Sequence, residues 1–333
     1  MAPAVQWRDG VQIAGTVIWC DARRARDLCF LSHAGRHLDR ALRTRRLPAH
    51  GQLLTTARTL KLWFALSGVD LSVQRETLVT PFSRPFSLGK LRLELFPSGK
   101  LPGAASLAIE MDGYRIVYAG EINPSPNVAE PMQIRGADVV ILDAPLAAQS
   151  HTLSSPERMR AQLVATTERA LARGTIPVLL AATLWGSAEV VHSLHAAGIP
   201  LLAHPRIAAT IAAYRTLGIS IPPPQPLSLH RRVFPRDAVI WPLELRDSLP
   251  WRDTHRIAAT ALAVDPQARQ RLGVDEAVPI GDQADLAMVV DYVKATGARE
   301  VYLTAGYSEE TARAFGRRRR VAPLGPPRQM GLF

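Results

Sequence analysis

The feature that most constrains the fold of this chain is a change of pattern near residue 150. Before it, strands follow one another closely, and apolar stretches flank Asp112–Gly113, which is a two-residue hairpin signal. After it, short apolar strands alternate with predicted helices, which cover residues 156–172, 187–196 and 207–217. Because alternating strands and helices indicate a mainly parallel sheet, we expect an α/β protein.

Other segments carry weaker signals. Residues 43–67 are predicted to be partly helical, with an apolar face formed by Leu60, Trp63, Phe64 and Leu66. Near the end, a helix at 285–296, a strand at 300–303 and a helix at 308–315 resume the α/β order. From residue 321 the Pro- and Gly-rich sequence predicts a flexible tail.

The charge of the chain points to an anionic partner. The 333 residues carry a net charge of +11, and arginine supplies most of it. Such an excess is typical of proteins that bind nucleic acid, although Ala-, Arg- and Pro-rich composition alone also produces it. No run of about 18 apolar residues is present, so we expect no membrane partner. The two cysteines and the lack of a signal-like start predict free thiols and a cytoplasmic location.

A loop with two histidines is the first candidate for a site. His33 and His37 follow an apolar strand at 28–31. Histidines projecting from one tight loop are typical of a hydrolytic metal centre, which needs several His and Asp ligands. The alternative is that each histidine is a structural, hydrogen-bonded side chain. Phosphate-binding Gly-rich loops and the Gly-x-Ser-x-Gly motif are absent from the sequence.

Several stretches together resemble the metallo-β-lactamase fold and, within it, the β-CASP nucleases, especially the bacterial exonuclease-like proteins associated with DNA ligase. The matching stretches are residues 95–100, 117–121, 182–188, 203–205, 214–218, 222–224 and 304–308. The resemblance implies an αββα sandwich with an inserted β-CASP α/β domain. The implied domains are 1–150 for the first part of the sandwich, 151–275 for the insertion, 276–320 for the return segment and 321–333 for the tail.

The same resemblance locates the metal positions of the family, and most of them are replaced. In the first motif, His33 matches, whereas Gly35, His37 and Leu38 stand where the family has His, Asp and His. The remaining positions hold Lys100, Glu121, Asp143, Gln283 and Ala305, where the family has His, Asp, an acidic residue, His and His. Asp143 thus keeps the residue type, and Glu121 keeps only the charge.

These replacements favour a protein without a working dinuclear centre. Gly35, Leu38 and Ala305 offer no ligand atom, and the Lys100 ammonium repels a cation, although it could pair with Glu121 or Asp143. We therefore expect no cofactor. Zinc or manganese enters only under the alternative of an active nuclease with a reduced site, for which the weak candidate ligands are His33, His37, Glu121 and Asp143. Asp143 could also simply hold a loop, and Asp282 and Asp285 are expected to cap a helix.

The end of the chain suggests partners. Gln329, Met330, Leu332 and Phe333 form a Gln-x-x-Leu-Phe peptide, which resembles the motif that docks bacterial repair proteins on the sliding clamp. The alternative is a chance apolar terminus. The run from Arg317 through Arg318 and Arg319 to Arg320 could contact DNA phosphates or could complement a helix end.

The function expected from these observations is that of a pseudo-nuclease. It would bind DNA, dock on the sliding clamp and act as an accessory in DNA repair or replication, with an active nuclease, a ligase or a helicase as a further partner. Two alternatives stay open: an active metal-dependent DNA exonuclease with a reduced site, and an RNA-processing accessory subunit.

Overall fold

The computed structural model describes residues 5–35, 50–68, 76–125, 128–148, 152–228, 236–251 and 253–326. Within these ranges the strands are β1 (Val5–Trp7), β2 (Val11–Ile13), β3 (Ile18–Cys20), β4 (Leu28–Phe30), β5 (Gln52–Thr55), β6 (Glu76–Val79), β7 (Phe86–Leu88), β8 (Leu91–Pro97), β9 (Ala105–Met111), β10 (Tyr114–Gly120), β11 (Val139–Asp143), β12 (Ile176–Ala181), β13 (Leu201–Ala203), β14 (Gln225–Pro226), β15 (Ala238–Pro242), β16 (Thr254–Ala259), β17 (Glu276–Val278), β18 (Glu300–Ala305) and β19 (Arg320–Pro323).

The described part of the chain contains seven α-helices. They are α1 (Ala57–Ser67), α2 (Pro156–Ala172), α3 (Gly186–Ala196), α4 (Pro205–Thr216), α5 (Ala268–Leu272), α6 (Leu286–Thr296) and α7 (Glu309–Ala314). The predicted α/β class is therefore confirmed. None of these helices combines the length and the apolar character that spanning a bilayer requires.

The chain divides into two compact units. The first unit comprises Met1–Pro124, Ala129–Ser150 and Leu286–Phe333, and the second comprises Ser125–Val128 and His151–Asp285. The first unit holds two sheets, ordered β1-β2-β3-β4-β5-β6 and β19-β18-β11-β10-β9-β8-β7. The second unit holds one sheet, ordered β14-β13-β15-β12-β16-β17.

The core of the first unit lies between its two sheets. Ile13, Ile18 and Phe30 of one sheet share a buried cluster with Leu93 and Ile141 of the other. Alternation makes this possible, because side chains two apart on a strand share a face. In β8, for example, the alternating residues Leu91, Leu93 and Leu95 are buried. The hairpin at Asp112–Gly113 is also confirmed, since both residues have positive φ between paired strands β9 and β10.

Four strands of the second sheet of the first unit are parallel, so their carboxyl ends lie on one side of the sheet and their amino ends on the other. Strands β10, β11, β18 and β19 all run in the same direction. Their carboxyl ends therefore meet at one edge, and their amino ends meet at the opposite edge about 20 Å away, given about 3.3 Å per residue.

The second unit is built as the sequence predicted. Its strands are all parallel in the described pairs. Helix α2 begins at Pro156 after Ser155, whose side chain accepts the backbone N–H of Arg158. Val178, Val239 and Ala258, from the neighbouring strands β12, β15 and β16, belong to one buried cluster.

Two expectations differ from the structure. Phe64 is 53% exposed, whereas the buried face of α1 is formed by Thr59, Leu62 and Trp63. The helix begins only at Ala57, and its buried stripe passes through 59, 62 and 63, so Phe64 points away. In addition, Val321–Pro323 do not begin a free tail: they belong to β19, which pairs with β18, and Leu324 beyond them enters the core cluster.

Candidate functional site

Three predicted site residues come together at the carboxyl-end edge of the first unit. His33 lies just beyond β4, Lys100 follows β8, and Glu121 follows β10 directly. The Lys100 Nζ atom lies 3.0 Å from Glu121 Oε2, and His33 Nε2 lies 3.6 Å from Glu121 Oε1. We call His33, Lys100 and Glu121 the loop-end cluster. The sequence suggested two carboxylates as partners for Lys100, and Glu121 is one of them.

The loop-end cluster is largely shielded from solvent. The side chains of His33 and Lys100 are each 2% exposed, and that of Glu121 is 17% exposed. A buried ammonium is costly unless a carboxylate or several acceptors compensate it. The contact with Glu121, 3.0 Å away, supplies that compensation.

The His33 ring is oriented by its own loop. Its Nδ1 atom accepts the backbone N–H of Gly35 at 3.0 Å. A neutral imidazole with an accepting Nδ1 carries its proton on Nε2, and Nε2 is the atom that faces Glu121. The Gly35 backbone N–H therefore orients the His33 ring within its own loop.

A tight backbone contact fixes Lys100 beside Glu121. Gly99 has φ +76°, and a Cβ atom at this position would lie 2.1 Å from the Asn123 carbonyl oxygen. The Asn123 N–H donates to the Ser98 carbonyl at 3.0 Å, which joins the two loops. Only glycine fits this position. The approach of the two loops brings the residues that follow β8 and β10 within ion-pair distance.

Asp21, which was not predicted as a site residue, is a buried carboxylate that stabilises the loop before His33. Asp21 follows β3 and is 9% exposed. It accepts the Ser32 N–H at 2.9 Å, the Ser32 hydroxyl at 2.6 Å and the Tyr118 hydroxyl at 2.8 Å. Asp21 therefore holds the residue before His33 and ties it to β10. The one sequence signal was an acidic residue directly after the apolar strand at 18–20.

Asp143 and Ala305 lie beside each other on neighbouring strands. They are register partners at the carboxyl ends of β11 and β18. Gly306 follows at φ +79°, where a Cβ would lie 1.7 Å from the Ala144 carbonyl oxygen. The backbone shape of this corner is thus strongly constrained, but its side chain at 305 is a methyl group without a ligand atom.

Gln283 belongs to the second unit. Its neighbours bind the backbone of that unit: Asp282 Oδ1 accepts the N–H of Ala261 at 3.0 Å, and Asp285 Oδ2 accepts that of Leu153 at 2.9 Å. These carboxylates hold loops, and the cap that they were expected to form on the helix beginning at Leu286 stays a prediction. The Gln283 Oε1 atom is buried and has no hydrogen-bond partner among the residues that the structure describes.

Among the residues that the structure describes, the donors at this edge do not fit a dinuclear metal centre. Within the described ranges, no group of three or more His, Cys, Asp and Glu side chains is arranged to hold a metal ion. The Lys100 ammonium repels a cation and engages one oxygen of Glu121. A hydrolytic dimetal site would need several His and carboxylate ligands at this edge. His37, the other weak candidate ligand, lies outside the described residues.

His204 packs within the second unit. The Nδ1 atom of His204 accepts the N–H of Arg206 at the start of α4, and its ring packs edge-on against Trp241 with centroids 4.3 Å apart. Burial lowers the pKa of His204 and that of His192 below the ordinary histidine value.

The arginine run lies at the opposite edge of the first unit from the loop-end cluster. Arg320 begins β19, so Arg317–Arg319 enter that strand at its amino end. Arg319 donates to the carbonyl oxygens of Ala298 at 3.2 Å and Phe315 at 3.1 Å. The clamp-like peptide with Gln329, Met330, Leu332 and Phe333 lies outside the described residues.

The comparisons with known proteins give a similar sequence and a similar fold. No family model matches the chain. A curated protein of Opitutus terrae (strain DSM 11246 / JCM 15787 / PB90-1), named "Probable DNA ligase", is 26% identical over 320 residues, which cover 94% of this chain and 30% of that protein. The present chain thus spans about a third of the length of this relative.

A similar solved structure is more distant in sequence. A protein of unknown function from Enterococcus faecalis V583 superposes with a TM-score of 0.59 at 13% identity, over 89% of this chain and 78% of that one. At this identity the likeness concerns the fold alone.

Proposed function

We propose that this chain is a non-catalytic relative of the β-CASP nucleases that binds DNA as an accessory protein. In this assignment the first unit forms a metallo-β-lactamase-like sandwich and the second unit forms the β-CASP-like insertion. The insertion then extends to Asp285 rather than to residue 275, because β17 (Glu276–Val278) pairs within the sheet of the second unit. Two observations support the assignment: two sheets face each other in the first unit, and the second unit has a parallel sheet. The sequence resemblance supplies the rest.

The observation that carries the non-catalytic part is the ion pair between Lys100 and Glu121. The ammonium lies 3.0 Å from the carboxylate that stands at a ligand position of the resembled family. A positive charge in this place neutralises the carboxylate without a metal. We propose that it substitutes for part of the metal charge, so that the two loops keep their shape while hydrolysis is lost.

The DNA-related part draws on the relative and on charge. A protein named "Probable DNA ligase" contains a segment similar to nearly the whole of this chain. The net charge of +11 suits a polyanion. We propose that the chain binds DNA and acts beside a DNA ligase. A pull-down with the purified DNA ligase of the same organism tests the partner, and the absence of binding at micromolar concentration would contradict it.

The test of the function separates binding from cleavage. Labelled single- and double-stranded DNA is mixed with the purified chain in EDTA and, separately, in manganese or zinc. We expect binding in EDTA and intact DNA in every buffer. Metal-dependent cleavage that disappears in both His33→Ala and Glu121→Gln would establish the active-nuclease alternative. Stronger binding to RNA of the same sequence would favour the RNA-processing alternative.

Clamp docking is proposed for the C-terminal peptide. Gln329 would hydrogen-bond the rim of a clamp pocket, and Leu332 and Phe333 would fill its apolar part. Deletion of residues 329–333 is expected to weaken binding to the sliding clamp at least about tenfold, because two anchor side chains are lost. The double variant L332A/F333A should behave in the same way. Unchanged clamp affinity in both variants would remove this partner.

A further inference from the structure

The amino-end edge of the first unit carries a cluster of exposed arginines. Arg299 precedes β18, and Arg317, Arg318 and Arg320 surround the start of β19. All four side chains are exposed. The pairing of the two strands brings them together, since Glu300 is the register partner of Arg320 and the Arg320 N–H donates to the Arg299 carbonyl at 2.8 Å. We call Arg299, Arg317, Arg318 and Arg320 the amino-end basic surface.

The charges of this surface are available to a partner. Among the residues that the structure describes, no carboxylate forms an ion pair with any of its four guanidinium groups. Glu300, the nearest acidic residue in register, accepts the Tyr302 hydroxyl at 3.1 Å. By contrast, arginines elsewhere in the unit, such as Arg58 and Arg135, are paired with glutamates. Unpaired exposed arginines are suited to phosphate oxygens.

Arg319 differs from its neighbours in the run. Its guanidinium donates to the carbonyl oxygens of Ala298 and Phe315, so it joins the loop before β18 to the end of α7. Arg319 is half-buried, whereas the other three arginines of the run are exposed. This side chain therefore holds the loop in shape, and the flanking arginines project from it.

We infer that the amino-end basic surface binds the phosphate backbone of DNA, apart from the loop-end cluster at the other edge of the same sheet. The inference rests on the proposed DNA-binding function and adds where the DNA lies. The two sites are separated by the length of β18, about 20 Å at about 3.3 Å per residue. Binding at this surface should not depend on the base sequence, because guanidinium contacts to phosphate carry no sequence information.

The test compares two triple variants of the full chain that lose the same charge. R317Q/R318Q/R320Q removes three arginines of the surface, and R158Q/R173Q/R215Q removes three exposed arginines of the second unit. Binding to a labelled 30-base-pair duplex is followed by anisotropy in EDTA at several salt concentrations. Three lost phosphate contacts should weaken binding on the order of 10- to 100-fold at 0.15 M salt and reduce the salt slope by about 2.7. The matched control should change much less.

The outcomes separate this inference from the proposed function. A wild-type chain that binds no DNA overturns both. A wild-type chain that binds DNA, with equal affinities for the two triple variants, overturns only the surface. Binding to vesicles of anionic lipid instead of DNA, lost in R317Q/R318Q/R320Q, would reassign the surface to membranes. Thermal melting checks that both triple variants are folded. R319Q should lower the melting temperature, because it removes the hydrogen bonds to the Ala298 and Phe315 carbonyl oxygens.

Discussion

Lys100 and Glu121 form an ion pair in which the lysine side chain is 2% exposed and the glutamate 17%, with Nζ 3.0 Å from Oε2. The two residues lie 21 positions apart in sequence, and the loops that carry them are joined by the Asn123 N–H and the Ser98 carbonyl. An ammonium in such a place is stable only with its counter-charge. The pair is therefore the buried charge contact between the loops that follow β8 and β10.

The energetic coupling of this pair can be measured with a double-mutant cycle. K100M leaves Glu121 without its cation and should lower the free energy of unfolding by about 2–4 kcal/mol. The double variant K100M/E121Q should recover part of that loss. The coupling energy is expected to be at least about 1.5 kcal/mol, measured by urea denaturation.

An exposed pair provides the control for this cycle. Lys294 and Asp291 lie 3.2 Å apart, with side chains 60% and 74% exposed. Their coupling should stay below about 0.5 kcal/mol because water screens both charges. Equal coupling energies for the two pairs would show that burial gives Lys100 no special role.

Gly99 tests the close approach of the loops. Gly99→Ala and Gly113→Ala both place a side chain at positive φ, +76° and +77°. The strain of the φ angle costs about 1 kcal/mol in each. At Gly99 the new Cβ also meets the Asn123 carbonyl oxygen at 2.1 Å, whereas at Gly113 no atom lies within 4 Å. Gly99→Ala should therefore lower the free energy of unfolding clearly more than Gly113→Ala, and equal effects would refute the contact.

Asp21 should be more important for stability than its sequence context suggests. Asp21→Ala removes the acceptor of the Ser32 N–H, the Ser32 hydroxyl and the Tyr118 hydroxyl, so it should cost about 3 kcal/mol. Tyr118→Phe removes one of these bonds and should cost about 1 kcal/mol. Tyr302→Phe, which removes a partly exposed hydroxyl, should cost less. Chemical denaturation of the three variants checks the order.

Acid should weaken the second unit through Glu276. Burial acts to raise the pKa of Glu276, but hydrogen bonds from His255 and Arg169 outweigh it, so the pKa lies below the ordinary glutamate value. A depressed carboxyl pKa adds stability above the unfolded pKa, about 4.3, and that stability is lost as the pH falls through the folded pKa. Stability measured from pH 6 to pH 3 should therefore fall less in Glu276→Gln than in the wild type. A parallel fall would contradict this account.

Local signals in the sequence predicted the elements well where one interaction dominates. The Asp112–Gly113 hairpin depends on two residues that accept positive φ, and helix α2 depends on Ser155, Pro156 and an uninterrupted helical run. Both are confirmed. The exposed Phe64 and strand β19 were missed because they depend on tertiary partners: the face that α1 buries, and the open edge that β18 offers to residues 320–323.

The site was predictable in part for the same reason. The resemblance named His33, Lys100 and Glu121, yet the ion-pair geometry depends on how Gly99 lets two loops meet. Asp21 escaped notice because its partner Tyr118 is 97 residues away in sequence. A lone aspartate after a strand has many possible roles, and only the fold selects one.

The most direct test of the central claim is the metal content of the purified chain after incubation with zinc or manganese, measured together with DNA cleavage. Because the Lys100 ammonium already pairs with the Glu121 carboxylate, we predict less than one metal ion per chain. We also predict no cleavage, for the wild type and for His33→Ala alike. Two metal ions per wild-type chain, with cleavage that His33→Ala abolishes, would contradict the account.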